Sequence, residues 1–176
     1  MDSVPAGDWA SVANDITAIN KAWRAYQKAF AKQTPLIFQN TLAAAFERLK
    51  AAASAQDNTA TMRAANDLAA ALTDLFNIYN PSLPINISRL DALERRVLLD
   101  AAAQNFVGAA NALATLKLVW EHFEGSVRAQ NGADVAAQFD ASLSAQTDDL
   151  NRQDASALTV DAQNGLESIE NMKRLF

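Results

Sequence analysis

The sequence predicts an all-α protein, built as an antiparallel helical bundle or a short array of helical hairpins with six to seven helices. Apolar residues recur at alternating spacings of three and four along most of the chain, which is the period of a helix packed on one side. Alanine, the strongest helix former, contributes 38 of the 176 residues, and there are only five glycines and four prolines. The length suits one all-helical domain over residues 1–176, with two halves joined by a proline-containing connection at residues 80–87.

The first helix shows this period most clearly. Asp8 precedes it and is expected to be its N-cap, because a carboxylate accepts hydrogen bonds from the free N–H groups of the first turn. Trp23 and Phe30 lie on the apolar stripe, so both are predicted to be buried. The stripe consists of Trp9, Val12, Ile16, Ile19, Trp23, Tyr26 and Phe30. Its strict alternation favours the shallow crossing angles of helical bundles.

Two more helices are predicted before the first strong break. The second runs from about Pro35 to Ser54, with Thr34 as its cap and Pro35 in the first turn, where a missing N–H does no harm. Residues 56–58 are turn formers, and the third helix follows them to about Tyr79.

Two prolines mark that break. Pro81 and Pro84 cannot continue a helix, and each pushes the preceding residue toward extended geometry. Residues 80–87 are therefore predicted to form an ordered connection. The helical pattern resumes at Ser88, which is expected to act as a cap.

The long helical pattern that follows changes phase, which predicts two helices. The apolar stripes of its two parts cannot lie on one face of a straight helix, so we place a turn at Gln104–Asn105; one kinked helix is the alternative. Asn131–Gly132 is a typical C-terminal stop. Two further helices are predicted at about 133–150 and 155–175, with Asp154 as the cap of the last.

A short pattern, Ala-x-Asn-x-Leu, occurs at residues 64–68, 109–113 and 162–166. Each copy follows a polar turn, as expected for repeated helical hairpins of the solenoid kind. The alternative is chance recurrence in an alanine-rich chain.

Charge and composition exclude several classes of function. The net charge of −5 argues against nucleic acid, which requires clustered Lys and Arg. Without cysteine there is no disulfide and no thiolate metal site. No stretch is long and apolar enough for a transmembrane segment. The small, acidic N-terminal residues leave two locations open, export after removal of a signal and the cytoplasm.

One cluster contains the residue types that bind small ligands or metals. Trp120, Glu121 and His122 are consecutive, and His122 is the only histidine. Because His122 lies on a different helix face from Glu121, a solvent-exposed cluster is the alternative to a metal site. Arg95 is added as a candidate anion-binding or ligand-binding residue, against the alternative of surface pairing with Asp91 in the same helix.

The predicted function is a non-enzymatic helical binding or scaffold module, with a protein or a small molecule as its partner. The alternative is a small-ligand or metal-binding helical bundle, in which Trp120, Glu121, His122 and Arg95 form the site. An enzyme is the third hypothesis, but the chain has no nucleophile motif or glycine-rich phosphate loop. No catalytic residue and no cofactor is predicted. An exposed apolar groove would favour the binding module.

Overall fold

The chain is all-α and forms a helical bundle, as predicted. The computed structural model describes residue 4, residues 6–79 and residues 84–176, and for residues 77–79 the backbone only. Within these ranges there are seven helices and no strand. The helices are α1 (Trp9–Phe30), α2 (Leu36–Ser54), α3 (Asn58–Tyr79), α4 (Ile85–Ala102), α5 (Phe106–Ala129), α6 (Ala133–Arg152) and α7 (Ala155–Lys173). No helix in the described ranges is both long and apolar enough to cross a membrane.

The chain divides into two compact units, unit 1 (Met1–Phe76) and unit 2 (Asn77–Phe176). The boundary lies just before the predicted connection at residues 80–87. Residues 80–83 lie outside the described residues, and residues 85–87 form the first turn of α4 instead of a connection. That the whole chain is a single domain stays a prediction.

In unit 1, α2 and α3 form the buried core and α1 packs against it. The buried residues are Leu42, Ala45, Phe46, Leu49, Ala64, Leu68, Ala71 and Leu75. From α1, Ile16, Ile19, Trp23 and Tyr26 are only partly buried against this core. Phe30 is 45% exposed, so its predicted burial is wrong. Phe30 is the last residue of α1, and at this end of the helix the apolar stripe extends beyond the core.

Unit 2 is a four-helix bundle. Here α4 packs against α5 and α7, and α6 packs against the same two helices, so each helix has two neighbours. The α5 stripe is buried as its spacing predicts, from Ala109 through Leu116 and Trp120 to Val127. The matching α7 residues, Leu158 and Ile169 among them, have no exposed surface.

Three helix connections in the described ranges share one turn. The pairs Gln56–Asp57, Gln104–Asn105 and Gln153–Asp154 are 48 and 49 residues apart. In each pair the glutamine is left-handed, with φ of 54°, 54° and 53°. The side chain of each following Asp or Asn accepts a hydrogen bond from the N–H three residues later, at 2.9, 3.2 and 3.0 Å. The hairpins α2–α3, α4–α5 and α6–α7 therefore turn in the same way.

The Ala-x-Asn-x-Leu copies are less alike than these turns. Asn66 is buried, whereas Asn111 and Asn164 are exposed. Whether the copies form a true repeat stays a prediction.

The predicted helix starts have mixed outcomes. The caps at Asp8 and Asp154 are confirmed by their side-chain hydrogen bonds, and Asn105, at the predicted turn, caps α5 in the same way. The cap at Thr34 is wrong, because its hydroxyl donates back to the Phe30 carbonyl oxygen at 3.0 Å.

The predicted cap at Ser88 is also wrong. The helix begins four residues earlier than a cap at Ser88 requires, at Ile85, with Pro84 as its N-cap. Proline has no backbone N–H, so Pro84 needs no hydrogen-bond partner for one at the start of the helix. The helix α4 therefore starts directly after Pro84.

Candidate functional site

Unit 1 contains an aliphatic groove of about 390 Å³ between its three helices. This volume lies within the range of small-molecule pockets, and an apolar wall with few polar groups is typical of them. The residues that line it are Val4, Val12, Asp15, Ile16, Ala18, Ile19, Leu49, Thr61, Ala65, Leu68, Ala69 and Leu72.

Small side chains explain why the helices leave this space. Ala18 on α1 and Ala65 and Ala69 on α3 lie at lining positions. An alanine reaches no further than its Cβ, so the larger neighbours Ile19 and Leu68 define the walls without closing the groove. Ala18 and Ala69 are exposed, which places them at the mouth.

Two polar groups belong to the groove. The Thr61 side chain is 1% exposed, and its hydroxyl oxygen has no hydrogen-bond partner among the described residues. Leaving a buried hydroxyl unpaired costs about 1–3 kcal/mol. Asp15 is exposed and lies at the mouth. The groove therefore has an aliphatic wall that includes the Thr61 side chain and one carboxylate at its entrance. The Thr61 hydroxyl oxygen itself has less than 1 Å² of exposed surface.

Unit 2 has a buried polar cluster around Glu94 of α4. Glu94 and Gln146 have no exposed surface. The Gln146 side-chain amide donates to one Glu94 carboxyl oxygen at 2.6 Å and to the Ser142 hydroxyl at 3.0 Å. The second carboxyl oxygen of Glu94 and the side-chain oxygen of Gln146 have no partner among the described residues. Burial raises the pKa of Glu94 to about 8, against the lowering effect of Gln146. Glu94 is therefore mostly neutral at pH 7.

Gly165 makes room for this carboxyl group. A Cβ built on Gly165 would lie 2.7 Å from the Glu94 carboxyl carbon. Any side chain at position 165 would therefore displace Glu94 or α7. This contact explains a glycine in the middle of a buried helix stripe, where it lowers helix propensity.

Two further carboxyl groups of unit 2 lie together. Asp149 of α6 is 1% exposed, and one of its oxygens accepts from Arg152 at 2.5 Å. Its other oxygen has no hydrogen-bond partner among the described residues. Burial, together with the adjacent carboxyl group of Asp161, raises the pKa of Asp149, and Arg152 opposes this rise.

The structure separates the residues of the predicted ligand site. Trp120 is buried, and its indole N–H donates to Asp140 at 2.7 Å. Glu121 and His122 are exposed on the other side of α5, where the His122 ring Nδ1 lies 2.7 Å from the Leu118 carbonyl oxygen. No hydrogen bond within the described residues joins Trp120 to either neighbour. A ligand role for these three residues stays a prediction.

Arg95 lies on the surface of α4. Its side chain is 45% exposed, and its Nε donates to Asp91 at 2.8 Å, which is the surface pair considered from the sequence. Burial alone would raise the pKa of Asp91, but Arg95 and Lys173 lower it further than burial raises it. No ion pair in the described ranges joins Arg95 to Glu121, so the four predicted residues do not form one contact group.

Metal binding has no support from the described residues, in which no three His, Asp or Glu side chains are arranged to hold an ion.

Sequence reasoning missed Thr61 and Glu94, although the spacing of both residues indicates that they are buried. Thr61 lies seven residues before Leu68, on the same stripe of α3. Glu94 lies between Leu90 and Val97 at spacings of four and three. A polar residue in register with a buried stripe was the available signal.

The fold and these sites define the protein as an all-α helical-bundle protein with a ligand-sized groove. Comparisons with protein-family models, curated proteins and solved structures find no match to the chain.

Proposed function

We propose that the protein is a non-enzymatic binding module whose unit 1 groove holds a small amphipathic molecule. The observation that carries the proposal is an aliphatic groove of about 390 Å³ that is lined in part by Thr61, whose buried hydroxyl oxygen has no hydrogen-bond partner among the described residues. An apolar ligand body gains free energy by leaving water, and a hydroxyl or carbonyl group on it would pair with the Thr61 hydroxyl group once that side chain rotates toward the groove. An aliphatic alcohol meets both requirements.

The other occupant is an apolar helix of a protein partner, as in a scaffold module. Such a helix would cover the same aliphatic wall. It would leave Thr61 unpaired, because its contacting face consists of apolar side chains. The Thr61 hydroxyl group is therefore the feature that favours the small molecule.

The test is an NMR titration of the whole protein with 1-octanol, following backbone amide shifts. We expect saturable shifts at groove residues of α1 and α3. Thr61→Val removes the hydroxyl group at nearly constant shape, and it should weaken binding about fivefold, the loss of one neutral hydrogen bond.

Two alanines of α1 provide a matched pair. Both Ala18 and Ala13 are exposed, but only Ala18 lines the groove. Ala18→Leu should abolish the shifts by filling the mouth, whereas Ala13→Leu should leave them unchanged. Absence of saturable binding to the unmodified protein, or equal binding by both leucine variants, would contradict the proposal.

A further inference from the structure

Large apolar side chains are exposed at one end of unit 1. Phe30 ends α1, and Leu36 and Ile37 begin α2; they are 45%, 72% and 67% exposed. The α2–α3 hairpin brings Phe76, which is 64% exposed, to the same end, because Leu36 and Phe76 both lie 18 residues from the helix ends that the turn joins. Together Phe30, Leu36, Ile37 and Phe76 form an apolar tip.

The connection between α1 and α2 is held by hydrogen bonds, so this end of the unit has a defined shape. The Gln39 side-chain amide donates to the carbonyl oxygens of Ala31 and Thr34, at 2.8 Å each. The hydroxyl groups of Tyr26 and Thr34 form a further hydrogen bond. Because these bonds fix the start of α2, its apolar side chains protrude from an ordered backbone, which lowers the entropy cost of binding.

The segment that carries most of the apolar tip is basic. Residues 16–46 contain four basic residues and no acidic residue, although the whole chain has a net charge of −5. The four basic residues are Lys21, Arg24, Lys28 and Lys32, and all are exposed. Lys28 lies in the last turn of α1 and Lys32 in the connection, so both are close to the tip in the chain. Asp74 of α3, which is partly buried, is an acidic residue at this end.

Exposed apolar side chains beside basic residues fit an anionic lipid bilayer better than a protein partner. Side chains that protrude from three helix ends can enter a bilayer separately, without a surface of complementary shape. A helical partner requires a groove, and no residue of the apolar tip lines the unit 1 groove. Binding to a membrane surface strengthens with both the buried apolar area and the attraction to anionic lipids.

We propose that the apolar tip of unit 1 inserts into the surface of a membrane that contains anionic phospholipids, with Lys28 and Lys32 at the headgroups. The flexible stems of the lysines let their ammonium groups reach lipid phosphates while the neighbouring apolar side chains insert. The tip shares no residue with the unit 1 groove, so this proposal does not depend on the ligand of that groove.

The test is co-sedimentation of the whole protein with vesicles of about three parts phosphatidylcholine to one part phosphatidylserine. We expect saturable binding that weakens as salt is added, because salt screens the lysine charges. Vesicles of phosphatidylcholine alone should bind the protein at least about tenfold more weakly. Equal binding to both kinds of vesicle, or no binding to the anionic vesicles, would overturn the proposal.

Two exposed leucines provide a matched pair for the apolar contribution. Leu36→Ser should weaken binding to anionic vesicles about tenfold, because one inserted side chain is lost. Leu118 of α5 is 59% exposed and lies in unit 2. Leu118→Ser should leave binding within a factor of about two. Equal losses in the two variants would contradict insertion through the tip.

Two lysines of unit 1 test the charge contribution in the same way. Lys32→Gln should weaken binding about fivefold, the contribution of one lysine near an anionic surface. Lys50→Gln is the control, because Lys50 lies near the opposite end of α2 and pairs with Glu47 at 2.6 Å. Equal losses in both would show general charge attraction and overturn the proposal.

Sedimentation velocity without vesicles tests the other occupant of the tip, a second copy of the chain. We expect Leu36→Ser and the unmodified protein to have the same oligomeric state. A dimer of the unmodified protein that Leu36→Ser dissociates would assign the tip to self-association and overturn the proposal.

Discussion

Replacing Glu94 with glutamine is expected to remove a pH dependence from the stability of the protein. Glu94 is fully buried, with one carboxyl oxygen unpartnered among the described residues. Its pKa is about 8 in the folded chain and returns to its ordinary 4.5 on unfolding. The folded state therefore holds a proton that the unfolded state releases between these two values.

The sign and size of the effect follow from proton linkage. Below pH 4.5 both states are protonated, and the stabilising contribution is fully present. As the pH rises from there through 8, the free energy of unfolding falls by about 1.4 kcal/mol per pH unit. Between pH 5 and pH 7 the loss from Glu94 amounts to about 2.5 kcal/mol. Glu94→Gln keeps the shape but does not titrate, so this loss should disappear.

The assay is urea unfolding followed by circular dichroism at pH 5, 6 and 7, for the unmodified protein and Glu94→Gln. Subtracting the two pH profiles cancels every other titrating group that the substitution leaves in place. We expect the difference in unfolding free energy to shift by about 2.5 kcal/mol between pH 5 and 7, in favour of Glu94→Gln at the higher pH. Parallel profiles would refute the reasoning, because Glu94 would then titrate alike in both states.

Three further changes test the packing and the turns. Gly165→Ala should lower the free energy of unfolding by about 1–3 kcal/mol, because the added Cβ clashes with Glu94. The control Gly125→Ala has no atom within 4 Å of the added Cβ and should raise the free energy of unfolding by about 1 kcal/mol. If urea unfolding shows a change of the same sign for both variants, the clash is refuted. Gln153→Gly should raise the free energy of unfolding by about 1 kcal/mol, because glycine adopts the left-handed backbone at φ 53° without strain. An unchanged or lower melting temperature in thermal unfolding would refute that strain. Because Phe106 is the first residue of a helix, Phe106→Pro and Phe106→Ala should have free energies of unfolding within about 1 kcal/mol of each other. If urea unfolding shows the proline variant to be less stable than the alanine variant by about 3 kcal/mol, the helix is continuous.

The helix pattern was predictable because apolar spacing and turn residues act locally. The phase change at Gln104–Asn105 correctly divides α4 from α5, since one straight helix cannot present two stripes to one core. The starts at Thr34 and Ser88 were wrong for a related reason. Each of these residues has a hydroxyl group that could cap a helix, but a nearby proline sets where the helix begins. Pro35 follows Thr34, and Pro84 precedes Ser88.

The sites were harder to predict because they depend on contacts between helices. Arg95 and His122 stood out as unusual residues, yet both lie on the surface with local partners. Glu94 and Thr61 are in register with buried stripes, but spacing along one helix does not show that the neighbouring helices close over a polar residue at that position. The position of Gly165 against Glu94 is a contact between α7 and α4, which periodicity along one helix does not reveal.

The most direct test of the binding function is a crystal structure of the protein grown with 1-octanol. We expect density for the alcohol in the unit 1 groove, with its hydroxyl group about 3 Å from the Thr61 hydroxyl oxygen. The alkyl chain should lie against Ile16, Ile19 and Leu68. An empty groove at saturating alcohol, or an alcohol bound there with its hydroxyl group away from Thr61, would contradict the account.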